Sequence, residues 1–318
     1  NEHAYVLAVG AVFFNDARLK PSLPLPEEVV WILGAEGARV YRGLAENVPP
    51  PSQGFKDAGT YVCRDGDLYL LFNACGAGLG GRGSHGHNDA LSIEVAACGT
   101  NFIVDPGTYV YTSDLSERQR FRSTAYHSTV EVDGAEQNTT DARRPFVIGD
   151  EARPRVIGWE SDETRDLITA EHDGYKRLPA GPITHRRSVF FDKSARCWLV
   201  EDALTGAGEH LFRVFFHLAP ELETTLRPDA GLEVCDRITG ARLLIISLDG
   251  RDAVSLEPRF SSRDYGEKRA SQSACWTIRA HAPLRLRWAL VPVRPSDDEG
   301  ERLSLIERLK ASPKVEGR

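Results

Sequence analysis

The chain has 318 residues, of which 27% are charged and 41% hydrophobic, and its formal net charge is −7. This composition is typical of a folded globular protein and excludes a largely disordered one. A net acidic chain is poorly suited to general nucleic-acid binding, because the phosphate backbone attracts a positive protein surface. The longest apolar run, Ala4–Phe14, has 11 residues, whereas a membrane-spanning helix needs about 20. We therefore expect a folded protein with no nucleic-acid partner and no membrane insertion.

Residues 1–52 are predicted to form helices followed by a linker. Ala4–Phe14 is apolar on all sides, so a helix there should be buried on most of its faces. Pro26 and the two glutamates after it fit the start of a second helix through Val29–Leu33, which Gly34 would end. The proline-rich stretch Pro49–Ser52 then indicates a linker or domain boundary.

Residues 53–295 are predicted to form a β-rich domain. Many short runs have the residue types or the alternation of strands, and Gly, Asp-Gly or Pro separates many of them. About ten or more strands without intervening helices predict a mainly β fold, a large two-sheet antiparallel β-sandwich. Residues 296–318 are predicted to form a last helix over Leu303–Leu309 or a frayed tail. The predicted strands are Asp67–Phe72, Leu91–Ala96, Asn101–Asp105, Ser128–Asp133, Arg187–Asp192, Cys197–Asp202, His210–Leu218, Ala241–Ser247 and Pro283–Val293.

Two of the nine histidines, His85 and His87, stand two residues apart in a glycine-rich segment. In an extended backbone, residues i and i+2 point to the same face, so both imidazoles could reach one site. Gly81, Gly83 and Gly86 leave room there for a ligand or for another stretch of backbone.

Two further residues strengthen the case for a metal site. Asp105 ends an apolar strand at a Pro-Gly turn, and His127 precedes another predicted strand. Histidine and aspartate at separate strand ends suit a zinc site with an open fourth position. A His-x-His pair alone is more often a surface or hydrogen-bonded core feature, and we expect His217 to be structural. The six cysteines contain no Cys-x-x-Cys pair and predict no zinc ribbon.

Three blocks of sequence resemble the signature of the heparinase II/III family. They are GSHGHNDALS at residues 83–92, VDPGTY at residues 104–109 and FRSTAYHSTVEVDG at residues 121–134. The blocks occur in the family's order and at similar spacing, and the resemblance covers residues 1–295. One departure is Ser128, where the family commonly has Asn after the histidine.

The resemblance implies a polysaccharide lyase, which cleaves a uronic-acid-containing acidic polysaccharide by β-elimination. It implies that the sandwich follows an incomplete α/α toroid, of which residues 1–52 would be the last helices and the linker. Most of the toroid would then precede Asn1, and this chain alone would be inactive, because the toroid supplies a catalytic Tyr and the group that neutralises the substrate carboxylate. The implied substrates are of the heparan sulfate, alginate or related exopolysaccharide type. A periplasmic or secreted location is favoured over a cytoplasmic one.

The resemblance also implies roles for individual residues. His85 matches the catalytic histidine of the sandwich domain. The zinc ligands of some family members match His87, Asp105 and His127. We expect one zinc ion that holds these segments around His85, because no water attacks in a β-elimination and the reaction needs no metal-bound hydroxide.

Substrate contacts are expected from residues that flank these blocks. Arg82, Arg122 and Asn88 are predicted to bind the carboxylate or sulfate groups of the polysaccharide, although ion pairs within the fold would explain the two arginines equally well. Tyr109 and Tyr111 are predicted to pack within the strand region. Two other functions remain open. One is a non-catalytic, metal-stabilised carbohydrate-binding sandwich; the other is a glycoside hydrolase, which would need two carboxylates at a fixed separation.

Overall fold

The computed structural model describes residues 4–47, 49–78, 83–229, 231–250 and 254–311. Contacts between Cα atoms divide the chain into two compact units, Asn1–Pro51 and Ser52–Arg318. Within the described ranges, no helix combines the length and the apolar character needed to cross a membrane.

The first unit contains two helices, α1 (Ala4–Phe13) and α2 (Glu27–Gly43). Both helices were predicted, but α2 bends at Gly34, where φ is +67°, and continues for another nine residues instead of ending there. The prediction that the first helix is buried on most faces is wrong, since Phe13 is 71% exposed and Phe14, directly after the helix, is 69% exposed. This unit therefore presents a large apolar surface of its own.

The second unit consists mainly of antiparallel strands. The five-stranded sheet has the order β1-β2-β3-β4-β5, the eight-stranded sheet the order β12-β13-β14-β17-β10-β9-β8-β7, and the four-stranded sheet the order β15-β16-β11-β6. Two helices, α3 (Leu115–Phe121) and α4 (Glu299–Ala311), accompany the sheets. The strands are β1 (Gln53–Phe55), β2 (Thr60–Asp65), β3 (Leu68–Asn73), β4 (Ser92–Ala97), β5 (Thr100–Ile103), β6 (Val130–Val132), β7 (Arg155–Ser161), β8 (Arg165–Tyr175), β9 (Ile183–Asp192), β10 (Cys197–Gly206), β11 (Glu209–His217), β12 (Glu223–Leu226), β13 (Gly231–Cys235), β14 (Arg242–Ser247), β15 (Val254–Ser261), β16 (Arg269–His281) and β17 (Leu284–Val293).

The sheets share a single main core. The five-stranded and four-stranded sheets meet at an antiparallel bridge between Ile103 and Leu218, and one hydrophobic cluster contains residues of all three sheets. Every predicted strand is present, and the prediction of a mainly β, antiparallel sandwich is confirmed.

The central strand β17 shows how the sequence pattern places the layers. From Trp288 to Val293 its side chains alternate between two apolar environments, so this half of the strand is continuously apolar, whereas Arg285 and Arg287 alternate with leucines in the first half. Leu286 and Trp288 face the main core. Ala289 and Val291 face the opposite side, where they pack with Ile306 of α4. The helix α4 contains the segment Leu303–Leu309, which was predicted to be helical.

A buried ion pair ties the eight-stranded sheet to the loops that carry the site. Arg187 and Asp202 are both fully buried and form a bidentate pair, with Nε–Oδ1 and Nη2–Oδ2 distances of 2.7 and 2.9 Å. Arg187 Nη1 also donates to the carbonyl oxygens of Leu91 and Ser128, at 2.9 and 2.6 Å. Leu91 directly follows the Gly83–Ala90 stretch, and Ser128 directly follows His127. Arg187 therefore fixes the distance between the two segments that carry the site histidines.

Candidate functional site

His85 and His87 lie in the connection between β3 and β4, and glycines shape this connection. A Cβ atom on Gly83 would lie 1.9 Å from the carbonyl oxygen of Ala77, and one on Gly86 would lie 2.9 Å from it. Only glycine allows this close approach of two backbone segments. The predicted backbone approach is therefore present at both positions, whereas Gly81 lies outside the described residues.

His85 forms an exposed pair with Tyr111. The distance between His85 Nδ1 and Tyr111 Oη is 2.9 Å, and the two rings meet edge to face with their centroids 5.2 Å apart. Phe146 and Tyr265 extend this aromatic surface, with ring centroids 5.7 and 5.9 Å from that of Tyr111. The expectation that Tyr111 serves only strand packing is incomplete, because its hydroxyl contacts the predicted catalytic histidine.

His87, Asp105 and His127 form a compact group of ligand atoms. His87 Nδ1 lies 3.2 Å from His127 Nε2, which lies 3.5 Å from Asp105 Oδ2, and one ligand atom of each residue lies within 4.8 Å of the others. Tetrahedral zinc with bonds of about 2.0–2.1 Å places its ligand atoms roughly 3.3–3.4 Å apart. The spacing of these side chains therefore fits a zinc ion.

Each member of this group is positioned by local backbone structure. Asp105 follows β5, and its Oδ1 accepts a 2.8 Å hydrogen bond from the Gly107 N–H in the predicted turn. His127 follows a 3₁₀ turn over Thr124–Tyr126 and is almost fully buried. Its Nδ1 donates to the carbonyl oxygen of Ser123 at 2.8 Å, which leaves Nε2 with a free lone pair directed at the group.

The electrostatics of the group favour a cation. Burial raises the pKa of Asp89 to about 6 against the lowering effect of His127. Burial, reinforced by the charge of Asp105, raises the pKa of Glu94 to about 7. Burial also lowers the pKa of His87 well below its usual range, and the positive charge of Arg118 lowers it further. His87 is therefore a neutral imidazole, the form that binds metal, beside carboxyl groups that a cation would stabilise.

Two buried arginines, Arg118 in α3 and Arg122 directly after it, give the site a second, positive feature. Asp114 caps this helix by accepting from the backbone of Ser116 and Glu117, and the four-residue spacing of Arg118 and Arg122 places both on one helix face. Neither guanidinium pairs with a carboxylate within the described part of the chain.

Burial without a counter-ion lowers the pKa of a guanidinium group, and both arginines show this effect. Burial lowers the pKa of Arg118, and it lowers that of Arg122 to about 10, with a further contribution from the charge of Arg118. The Arg118 guanidinium lies over the Tyr111 ring, 5.0 Å from its centroid. An uncompensated positive charge therefore stands directly behind the His85–Tyr111 pair.

The structure places two of the three predicted substrate-binding residues, Arg122 and Asn88, away from the surface. Arg122 is fully buried, and its Nη1 donates to the carbonyl oxygens of Pro145 and Val147 at 2.9 and 3.0 Å. Asn88 is also fully buried, and its Nδ2 donates to Glu136 Oε2 at 2.9 Å. Direct contact of these two side chains with a polysaccharide does not fit their burial. Arg82 lies outside the described residues.

The hydroxyl of Ser128 takes part in a hydrogen bond within the fold. Ser128 Oγ accepts from the backbone N–H of His217 at 2.9 Å, so a hydroxyl makes the link at this position. His217 is buried, with Nε2 3.2 Å from Ser271 Oγ, and burial lowers its pKa to about 3. This agrees with the expected structural role of His217.

The comparisons with known proteins agree with this architecture. The family model "Heparinase II/III-like, C-terminal" matches residues 47–301. The chain belongs to this family. A heparin-sulfate lyase of Pedobacter heparinus is 27% identical to it over 164 residues, which are 50% of this chain and 22% of that protein.

Solved structures of heparinase-like proteins have the same fold. The crystal structure of heparan sulfate lyase HepC from Pedobacter heparinus superposes with a TM-score of 0.71 at 19% identity, covering 93% of this chain and 42% of that one. A heparinase III structure superposes with a TM-score of 0.62 at 20% identity, covering 80% of this chain and 39% of that one. This heparinase II/III-like chain thus spans less than half the length of the relatives that it matches.

Two features of this heparinase II/III-like site were missed by the sequence analysis. Tyr111 was assigned to packing, and Arg118 was not singled out. The pattern Asp114-x-x-Glu117 is a helix start signal that would have predicted α3, and the spacing of Arg118 and Arg122 would have placed both on one face of it.

Proposed function

We propose that this chain is the C-terminal sandwich of a polysaccharide lyase, which cleaves a uronic-acid-containing polysaccharide by β-elimination. Membership of the heparinase II/III-like family supports this proposal, as does the similarity to a protein named heparin-sulfate lyase. The exposed apolar residues of the first unit, among them Trp31 at 84% exposure, support the further proposal that α1 and α2 are the end of a larger helical domain.

The observation that carries the proposal is the exposed His85–Tyr111 pair. A hydroxyl both donates and accepts, so the pair has two forms. When Tyr111 donates to Nδ1, His85 presents an N–H at Nε2 and can give up that proton as its Nδ1 takes the proton of the Tyr111 hydroxyl. When His85 donates from Nδ1, it presents a lone pair at Nε2 and acts as a base. An imidazole that moves between these forms suits proton transfer.

The reaction requires two proton transfers and no added water. A base removes the proton α to the uronate carboxylate, the electron pair forms a new carbon–carbon double bond, and the bond to the glycosidic oxygen breaks. The leaving oxygen takes up a proton from an acid. Negative charge develops on the carboxylate meanwhile, and the uncompensated guanidinium groups of Arg118 and Arg122 stabilise it through their field.

The proposed metal site supports the same reaction indirectly. His87, Asp105 and His127 would hold a zinc ion, in keeping with their spacing. When bound, the ion would supply structural cross-linking of three separate segments rather than a nucleophile. His87 lies two residues from His85 on the same connection, so fixing His87 would limit the positions open to His85.

A heparan sulfate-type polymer is the favoured substrate among uronic-acid polysaccharides, because the relative identified by name acts on heparin sulfate. The competing function is a carbohydrate-binding sandwich without catalysis, for which the aromatic surface of Tyr111, Phe146 and Tyr265 would serve as a stacking platform.

The test is the chemistry of the product formed by the protein that carries this chain. Incubation with heparan sulfate or alginate should release oligosaccharides with a new ultraviolet-absorbing double bond and without the mass of an added water. Oligosaccharides that contain an added water would rule out elimination. Binding of the polymer with no cleavage would support the carbohydrate-binding function instead.

A further inference from the structure

The imidazoles of the proposed metal site form a chain of hydrogen bonds with one direction. His127 Nδ1 lies 2.8 Å from the carbonyl oxygen of Ser123. A carbonyl oxygen only accepts, so His127 carries a proton on Nδ1, and in the neutral imidazole Nε2 is then an acceptor. The next atom in the chain, His87 Nδ1, lies 3.2 Å from this Nε2.

Arg118 determines the other end of the chain. Its Nη1 lies 2.8 Å from His87 Nε2. A guanidinium only donates and does not lose its proton in proteins, so His87 Nε2 must be the acceptor. A neutral His87 then carries its proton on Nδ1 and donates it to His127. All four ring nitrogens are then satisfied by protein groups.

This arrangement suits a metal ion at one histidine and opposes it at the other. His127 Nε2 already has a free lone pair, and the hydrogen bond from Nδ1 to a backbone carbonyl is the usual support for a ligating histidine. His87 must move its proton from Nδ1 to Nε2 before Nδ1 can bind a metal. The new N–H at Nε2 would then point at the Arg118 N–H, and two donors repel.

We propose that Arg118 and the metal ion compete for His87, so that metal binding displaces the Arg118 guanidinium from His87 Nε2. This inference rests on the proposed zinc site, and it adds Arg118 as a positioning residue that lowers the affinity of that site for zinc. The carbonyl oxygens of Ser84 and Pro145 lie 3.3 and 3.4 Å from Arg118 nitrogens, so the displaced guanidinium has acceptors within reach.

The competition links the metal site to the catalytic pair. Arg118 also lies over the Tyr111 ring, and Tyr111 contacts His85. Displacement of the guanidinium from His87 therefore moves the cation that faces the proton-transfer pair. In this way, metal occupancy changes the surroundings of His85 without any contact between His85 and the metal.

The first test is zinc affinity in three versions of the full chain, measured by competition with a chromogenic chelator. Arg118→Gln replaces the obligate donor with a side chain whose oxygen accepts from the Nε2–H form of His87, and it should bind zinc about 10- to 100-fold more tightly than the native chain. Arg118→Lys keeps an obligate donor and should bind within about threefold of the native chain. Thermal melting checks that both variants fold.

Equal or weaker zinc binding by folded Arg118→Gln would overturn the competition while leaving the metal site in place. Zinc binding by none of the three proteins would overturn the metal site and the competition together. Neither result bears on the lyase reaction, which is judged separately by its unsaturated product.

The second test reads the protonation of His87 in the native chain and does not depend on how the Arg118 variants fold. In ¹⁵N-histidine NMR spectra, with His87→Gln used for assignment, the metal-free chain should show His87 protonated on Nδ1. Addition of zinc should move that proton to Nε2. A metal-free His87 protonated on Nε2 would overturn the proposal.

Discussion

Neutralising the buried Asp202 carboxylate should cost far more stability than neutralising an exposed one. Asp202 accepts from Arg187 Nε and Nη2 at 2.7 and 2.9 Å and from His185 Nε2 at 2.6 Å. All three residues are fully buried. Asp202→Asn keeps the shape of the side chain but leaves the Arg187 charge without its counter-ion, and its amide turns a donor toward groups that themselves donate.

The magnitude follows from the burial of the pair. Neutralising one partner of a buried ion pair costs about 3–5 kcal/mol, and no solvent is available to Arg187 to reduce this cost. The matched control is Glu221→Gln, the same acid-to-amide change in the Arg269–Glu221 pair, whose side chains are 68% and 77% exposed. Exposed pairs contribute about 0–1 kcal/mol.

Urea unfolding followed by tryptophan fluorescence measures the difference. For a slope of about 3 kcal/mol per M, Asp202→Asn should lower the midpoint by about 1–1.7 M, whereas Glu221→Gln should lower it by less than about 0.3 M. Equal shifts for the two variants would refute the conclusion that this ion pair holds the sheet and the site segments together.

Three further predictions concern His172, Tyr111 and His87. Burial holds the pKa of His172 well below its usual range, so His172 stays neutral in the folded chain, whereas it gains a proton in the unfolded chain below about pH 6.5. The contribution of neutral His172 to the free energy of unfolding is therefore complete above that pH, and it is lost as the pH falls, at about 1.4 kcal/mol per pH unit. His172→Gln, which keeps a donor for His185, should flatten the pH dependence of urea unfolding by that amount, and an unchanged dependence would contradict this. Tyr111→Phe keeps the ring but removes the hydroxyl from His85, and should lower polysaccharide turnover about 10²–10⁴-fold with an unchanged melting temperature; unaltered turnover would exclude a role for the hydroxyl. His87→Ala should abolish the binding of about one zinc per chain and lower stability, and elemental analysis that finds no metal in the well-folded native chain would exclude the site.

The strands that were predictable from sequence are those with strong apolar patterns. β17 was found because leucine alternates with arginine in its first half, and because both faces are buried and apolar from Trp288 onward. The polar strand β7 was missed because it lies at the edge of the eight-stranded sheet, and none of its residues is fully buried. β15 contains Pro258 and lies at the edge of the four-stranded sheet, where a missing backbone N–H is tolerated. Such strands are stabilised by neighbours that are distant in sequence, which a local pattern does not show.

The site was predictable to the extent that its residues stand in short motifs. The structure brings His87, Asp105 and His127 together as the motif implied. The burial of Arg122 was not predictable, because an isolated arginine gives no sign of its depth. The long-range contact of Tyr111 with His85 across 26 residues was equally invisible. A local pattern identifies the reactive residue types, whereas their partners depend on how separate loops meet.

The most direct test of the account is elimination by the protein that carries this chain, compared with two of its variants. His85→Ala should abolish the ultraviolet-absorbing unsaturated product from a uronic-acid polysaccharide while the melting temperature is retained. The matched control His281→Ala, at an exposed histidine in β16, should leave the product yield unchanged. Full yield from folded His85→Ala would contradict the proposed role of the His85–Tyr111 pair, and cleavage without the double bond would contradict the lyase reaction itself.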